Sequence, residues 1–176
     1  MAGGRHPGWG TENRIVPLGD TFLELVAVVD EHAASTSAFG RWVGSHATVS
    51  GQLIGWAVRP GDLDNTATRL GLEPQQGERE RPDGELLRWR TAGVEEAATQ
   101  PGVPFFIEWA PPSPFPGATA RNDAVSSIAR LDIETQPTKL AAWLGQHTLP
   151  IRVSAGERGL TRVVLERAAG EIVLES

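Results

Sequence analysis

A chain of 176 residues with a net charge of −6 is long enough to bury a core and lacks the basic face that nucleic-acid binding needs. It contains no apolar run long enough for a membrane span, and its opening MAGGRHPGWG has no apolar signal-peptide core. The absence of cysteine excludes disulfides and thiolate chemistry and fits a cytoplasmic protein.

Residues 1–10 are glycine-rich and read as irregular, with His6-Pro7-Gly8-Trp9 placed to fold over a site. Residues 11–18 read as the first strand, carrying Asn13, and Pro17 suits an edge position or a bulge. A Gly19-Asp20 turn leads into a second strand over 21–29. Strand residues two apart share a face, so Phe22, Glu24, Val26 and Val28 lie opposite Leu23, Leu25, Ala27 and Val29. Both faces are apolar. Glu24 is therefore a carboxylate inside a covered layer, which is costly unless it is protonated, hydrogen-bonded, ion-paired or bound to a metal.

Ser35 or Ser37 is positioned to cap a short helix whose Phe39, Trp42 and Val43 share one face, with Gly44 near its end. Residues 52–58 read as a strand and Pro60-Gly61 ends it. Asp62 then caps a helix that buries Leu63, Ala67 and Leu70 before Gly71 stops it. The charged stretch 73–84 is expected to be an exposed loop. Strands follow over 85–91 and 103–110. In the latter, Phe106-Ile107-Glu108-Trp109 repeats the order Phe22-Leu23-Glu24-Leu25. Residues 110–122 carry four prolines and read as a linker. A strand over 127–134, a helix opened by Pro137 and closed by Gly145, and strands over 151–154, 160–166 and 171–175 complete the chain. Of the six tryptophans, which stand against no tyrosine, Trp9, Trp56, Trp89 and Trp109 fall on or beside predicted strands. There they can wall a cavity or fill the core, and core is the expected role for most of them.

A strand followed by a helix thus occurs twice, and a strand pair ending in an apolar-Glu step three times, at Glu24, Glu108 and Glu175. Repetition of this kind marks a duplicated architecture. The first unit lacks an opening strand and helix.

In that order, the segments HPGWGTENRIVPLG, TFLELVAV, IGWAVRPGDLDNTATRLG, VPFFIEWAPPSPFPGATA and ARLDIETQPTKLAAWLG, with the strands after them, resemble the glyoxalase-like (Glyoxalase_3 type) branch of the vicinal oxygen chelate superfamily. The resemblance spans nearly the whole chain. It implies an α+β fold of repeated βαβββ modules whose curved mixed sheets surround a cavity. These would be a partial first module over 1–50, a second with its linker over 51–122 and a smaller third over 123–176. In metal-dependent relatives the cavity holds a divalent ion through ligands on the first and last strands of two modules. The last-strand positions match Glu24 and Glu108, whereas the first-strand segment 53–58 (LIGWAV) has no His, Gln or Glu.

Two functional expectations follow from the resemblance. In one, Glu24 and Glu108 face the same cavity, as a paired acid and base or as carboxylate ligands of Mg²⁺, Mn²⁺, Fe²⁺ or Zn²⁺, in lyase, isomerase or dioxygenase chemistry on a small oxygenated metabolite. In the other, the cavity binds a small molecule without turning it over. Both take His6, Trp9, Asn13, Trp56 and Phe106 as substrate-binding candidates. A third expectation is purely structural: both glutamates make internal salt bridges, for example to Arg14, Arg88 or Arg90. With first-strand ligands missing, no stoichiometric ion is expected in the isolated chain. The incomplete first sheet predicts a homodimer through the edge beside residues 11–29, with no membrane or nucleic-acid partner.

Overall fold

The computed structural model describes residues 2–47, 51–80, 84, 86–111, 113, 115–118 and 127–176. Among these, three sheets form. The first is an antiparallel meander of β1 (Ala2–His6), β2 (Thr11–Pro17) and β3 (Phe22–Val28). The glycine-rich start, expected to be irregular, is therefore a strand. Its pairing rests on backbone approach, which hydrophobic periodicity does not register. At Gly3 an added Cβ would sit 2.2 Å from the Asn13 carbonyl oxygen.

Two short helices follow. Asp30 caps α1 (Glu31–Thr36) and Ser37 caps α2 (Ala38–Ser45). As expected, α2 buries Phe39, Trp42 and Val43, which pack with Val26 and Val28 of β3. The Ser37 hydroxyl accepts from Gly40 N at 2.9 Å and donates to the Trp9 carbonyl at 3.3 Å, tying the helix start to a 3₁₀ turn at Pro7–Trp9. Ser37→Ala should lower stability by about 1 kcal/mol, read as a shifted denaturant midpoint with unchanged slope.

The second sheet holds β4 (Ala57–Val58), β5 (Gln75–Glu80), β6 (Leu86–Ala92) and β7 (Phe105–Trp109) in the order β4-β7-β6-β5, with β4 parallel to β7 and the other pairs antiparallel. Helix α3 (Leu63–Leu70) lies behind it, packing Leu63 and Ala67 on Ala92 and Phe106, and α4 (Val94–Thr99) joins β6 to β7. Two expectations change here. The predicted strand 52–58 contracts to Ala57–Val58. The charged stretch 73–84, expected as a loop, contains β5. In β5, Gly77 and Arg79 are buried while Gln76 and Glu78 are exposed; the strand alternates without one apolar side chain, so the hydrophobic pattern is silent.

The third sheet comprises β8 (Ser127–Thr135), β9 (Ile151–Ala155), β10 (Gly159–Arg167) and β11 (Gly170–Glu175), with α5 (Pro137–Leu144) crossing between the parallel strands β8 and β9. Its order is β11-β10-β8-β9. The second and third sheets share the core succession strand, helix, three strands. They differ in where the opening strand sits: at an edge in the second, inside in the third. Ile133, Leu140, Val163 and Leu165 of this unit pack with Leu18 and Trp56, and Val16 and Leu23 join them from the back of the first sheet.

Strand β1 lies alongside β5, so the first and second sheets stand side by side and form a trough on their common front. The start of the predicted strand 85–91, parts of the predicted linker 110–122 and the expected boundaries at 50–51 and 122–123 fall outside the described residues. Within the linker, a 3₁₀ turn at Pro116–Ala118 is held on the β2–β3 hairpin by Gly19 N donating to Gly117 O at 3.0 Å. No helix among the described residues is long and apolar enough to cross a membrane.

Candidate functional site

Alternation along the strands builds the site. From β2 it points Thr11, Asn13 and Ile15 into the trough, and from β3 it points Phe22 and Glu24. From the second sheet, Trp89 and Thr91 of β6 and Phe105, Ile107 and Trp109 of β7 face them. His6, Trp9 and Phe39 close one end of the cleft.

Its walls are aromatic. Trp89 makes ring contacts with His6 at 5.5 Å, Trp9 at 5.4 Å and Trp109 at 5.2 Å, and Trp9 leans on Phe39 at 5.1 Å. Such tilted and edge-on pairs hold one another rigidly. Trp89 lies over Gly77 of the neighbouring strand, where an added Cβ would meet the indole Nε1 at 2.4 Å.

Four polar side chains, His6, Asn13, Glu24 and Thr91, interrupt the apolar lining. Asn13 Nδ2 donates to Glu24 Oε1 at 2.7 Å while Asn13 Oδ1 accepts from Gly4 N at 3.1 Å, which fixes both the amide and the carboxyl. His6 Nδ1 and Thr11 Oγ1 are 2.9 Å apart. Crowding by protein pushes the Glu24 carboxyl above its ordinary value, against opposing effects of the Asn13 hydrogen bond and the positive charge of Arg79. Contrary to the covered layer expected from sequence, Glu24 is solvent-exposed at the mouth of the cleft, so solvent screens much of this push and a ligand can reach the carboxyl. His6 is enclosed, with 4% of its surface exposed. Burial, helped by Arg79, lowers its pKa to about 4, so the imidazole is neutral at pH 7.

The structure brings four of the seven residues singled out in the sequence to this cleft: Glu24, His6, Trp9 and Asn13. Glu108 does not face it. On β7 the cleft side is taken by Phe105, Ile107 and Trp109, so Phe106 and Glu108 point to the opposite face. The Phe-x-Glu step is the same in both strands, but its phase against the trough differs by one residue, and a shift of one exchanges the faces. There Arg90 clamps Glu108, with Nη2 at 2.5 Å, and reaches Asp64 of α3 at 2.8 Å. This is the internal pairing with Arg90 that the sequence offered as a structural role. Phe106 is buried and stacks on Trp143 at 5.9 Å. Trp56 is also core, its Nε1 donating to Gly102 O at 2.9 Å. Breaking the partly exposed clamp with Glu108→Gln should shift stability by at most about 1 kcal/mol and leave the cleft unaltered, as judged by unchanged ring and amide NMR signals of Trp89 and Trp109.

Of Trp9, Trp56, Trp89 and Trp109, the sequence reading placed most in the core, whereas Trp9, Trp89 and Trp109 line the cleft. Sequence reasoning passed over Thr91, and over Ile15, Phe22, Phe39, Phe105 and Ile107, whose apolar character gave no signal separating cleft from core. Arg79, which acts on both His6 and Glu24, was hidden in the charged stretch read as a loop.

The cleft does not suit a divalent ion. Such an ion needs several oxygen or nitrogen donors converging on one point. Glu24 is the one carboxylate among the lining residues, Asn13 already occupies one of its oxygens, and Arg79 places positive charge nearby. Among the described residues no three His, Cys, Asp or Glu side chains come together for a metal.

The chain resembles a solved structure described as a hypothetical protein from Staphylococcus aureus. The TM-score is 0.63 at 14% sequence identity, over 99% of this chain and 76% of the other. At that identity the likeness speaks for the fold alone. Among curated proteins no sequence match was found. The family model described as Glyoxalase-like domain (Glyoxalase_3) matches residues 1–149. With that match over most of its length, and with sheets of mixed orientation around an aromatic cleft, the chain belongs to the glyoxalase-like domain family.

Proposed function

We propose that the cleft is a metal-independent site for a small, flat, largely apolar molecule with a polar end that meets Glu24. The observation that carries this reading is one oriented carboxyl, held by Asn13, at the mouth of a cleft walled by Trp9, Trp89, Trp109 and three phenylalanines. Concave apolar surface with a few placed polar groups is the usual make-up of a small-molecule site. Because Glu108 is turned away and clamped by Arg90, the paired-carboxylate chemistry expected from sequence has no second carboxyl here. Proton transfer by Glu24 alone is the remaining enzymatic reading, favoured by its raised pKa.

The test is titration with small aromatic compounds such as indole and 2-naphthol, followed by tryptophan fluorescence and by heteronuclear NMR. The expected result is saturable binding with shifts confined to the cleft. It should weaken about tenfold in Glu24→Gln, the size of one hydrogen bond to a charged group, and stay unchanged in Glu108→Gln. Absence of saturable binding at millimolar ligand would overturn the reading.

The expected homodimer and cytoplasmic setting belong to the same proposal. Among the described residues β3 has no strand on its outer edge, and Leu25 and Val29 are 59% and 48% exposed. That supports a second copy as their cover. Light scattering is the check, and a monomer at micromolar concentration would remove the dimer from the proposal.

A further inference from the structure

The hydrogen-bond bookkeeping at the two ends of the cleft determines which polar groups a ligand must bring. This inference rests on the reading of the cleft as a small-molecule site and adds the chemical class of its occupant.

At the His6 end, Thr11 is completely buried, and the one side-chain partner of its hydroxyl among the described residues is His6 Nδ1 at 2.9 Å. A buried hydroxyl carries a proton that must be donated somewhere. If His6 Nδ1 carried a hydrogen and donated it to Thr11 Oγ1, the threonine proton would be left buried without an acceptor, at about 1–3 kcal/mol. If Thr11 donates to Nδ1, both groups are satisfied. The neutral ring then has its hydrogen on Nε2. No described residue bonds to that nitrogen, and His6 lines the cleft. The ring is held in place by Trp9 at 5.6 Å and Trp89 at 5.5 Å. This end of the cleft therefore offers a donor, Nε2–H.

At the Glu24 end the polarity is reversed. Gly4 N–H fixes the Asn13 amide through its oxygen, so Asn13 turns its NH₂ to Glu24 Oε1. The second carboxylate oxygen remains as an acceptor in the cleft. In register, His6 pairs with Thr11 and Glu24 with Ile15, on opposite sides of β2. Four residues along β2 separate the two levels, roughly 13 Å of strand. Between them stand aromatic rings. The Glu24 charge is offset by buried Arg79, so the site does not call for a cation.

We propose that the cleft takes a neutral, planar, conjugated molecule that is polarised end to end: a carbonyl-type oxygen accepting from His6 Nε2–H, and a hydroxyl or N–H group donating to Glu24. In this arrangement Thr11 and Asn13 are positioning residues, since each sets the direction of a hydrogen bond made by another side chain.

Two measurements test it. Long-range ¹H–¹⁵N spectra of the histidine rings at pH 7 report the tautomer directly. His6 should be the Nε2–H form, and Thr11→Val, which removes the hydroxyl donor, should shift the population toward Nδ1–H. A wild-type ring in the Nδ1–H form overturns the proposal while leaving the small-molecule reading intact. The second measurement compares three probes by calorimetry: 6-hydroxy-2-naphthaldehyde, 2-naphthaldehyde without the donor, and 2-naphthol without the carbonyl. The first should bind about tenfold more tightly than either of the others, and its carbonyl should move the His6 Nε2 resonance. Equal affinities for all three would overturn the polarity assignment and preserve the cleft as an apolar site. No binding of any probe would overturn both.

Discussion

Gly77→Ala should collapse the cleft. A methyl group at this position would lie 2.4 Å from Trp89 Nε1 and 2.5 Å from Cε2, well inside van der Waals contact. The indole cannot swing aside freely, because His6, Trp9 and Trp109 hold it on its other sides. The strain is relieved only by pushing the ring into the open space or by parting β5 from β6. Overpacking of this kind costs about 1–3 kcal/mol, and the intruding indole fills the volume a ligand needs. The expected outcome is a lower denaturant midpoint together with loss of probe binding. Shortening the ring should reverse part of the stability loss, so the double variant Gly77→Ala/Trp89→Leu should be less destabilised than the sum of its single changes. Strict additivity, or a Gly77→Ala protein that binds the aromatic probes normally, would contradict the packing described for Trp89.

This glycine also illustrates why the sequence revealed the fold class more readily than the site. Elements with apolar periodicity were legible: the hairpin of β2 and β3, helices α2, α3 and α5, and the strands of the third sheet all follow from patterns of two or 3.6 residues. Strands β1 and β5 were not. Gly3 and Gly77 serve by having no side chain, and Arg79 is buried on a strand with no apolar residue at all. Residues 2–6 and 75–80 bring the first and second sheets together, so missing them meant missing how the trough is made. Glu24 was legible because a carboxylate between two apolar faces requires a reason. Glu108 misled for the same cause. The step repeated faithfully, but the phase of a strand against a cavity depends on which face its neighbours cover, and Arg90 and Asp64 lie far enough along the chain that only the tertiary structure assembles the clamp. Similarly, Trp56 and Phe106 are indistinguishable in sequence from Trp89 and Phe105, since core and cleft ask for the same side chains.

Acid should destabilise the protein through His6. Its folded value of about 4 lies below the ordinary 6.5, so between these limits the unfolded chain binds a proton that the folded chain refuses. Stability then rises with pH across that window and is lost as pH falls from about 6.5 toward 4. At 1.36 kcal/mol per pH unit the gap corresponds to about 3 kcal/mol, and the low exposure of His6 leaves solvent little part in screening it. Glu24 has the opposite sign. Its folded pKa is raised above 4.5, so its contribution is fully present below 4.5 and declines as pH rises through the folded value, opposing His6 over the shared range. The two can be separated. In Glu24→Gln, where the Asn13 hydrogen bond retains an acceptor, the opposing slope disappears and stability should climb more steeply between pH 4 and 6.5 than in the wild type. In His6→Gln the rising slope should be lost. Denaturant midpoints at half-unit pH steps give these differences, and direct NMR titration of the His6 ring in the folded wild type supplies a check that does not depend on any variant folding. The ring should remain neutral to about pH 4; a titration centred near 6.5 would mean that the imidazole is not enclosed by Trp9 and Trp89 and that the acid slope has another origin.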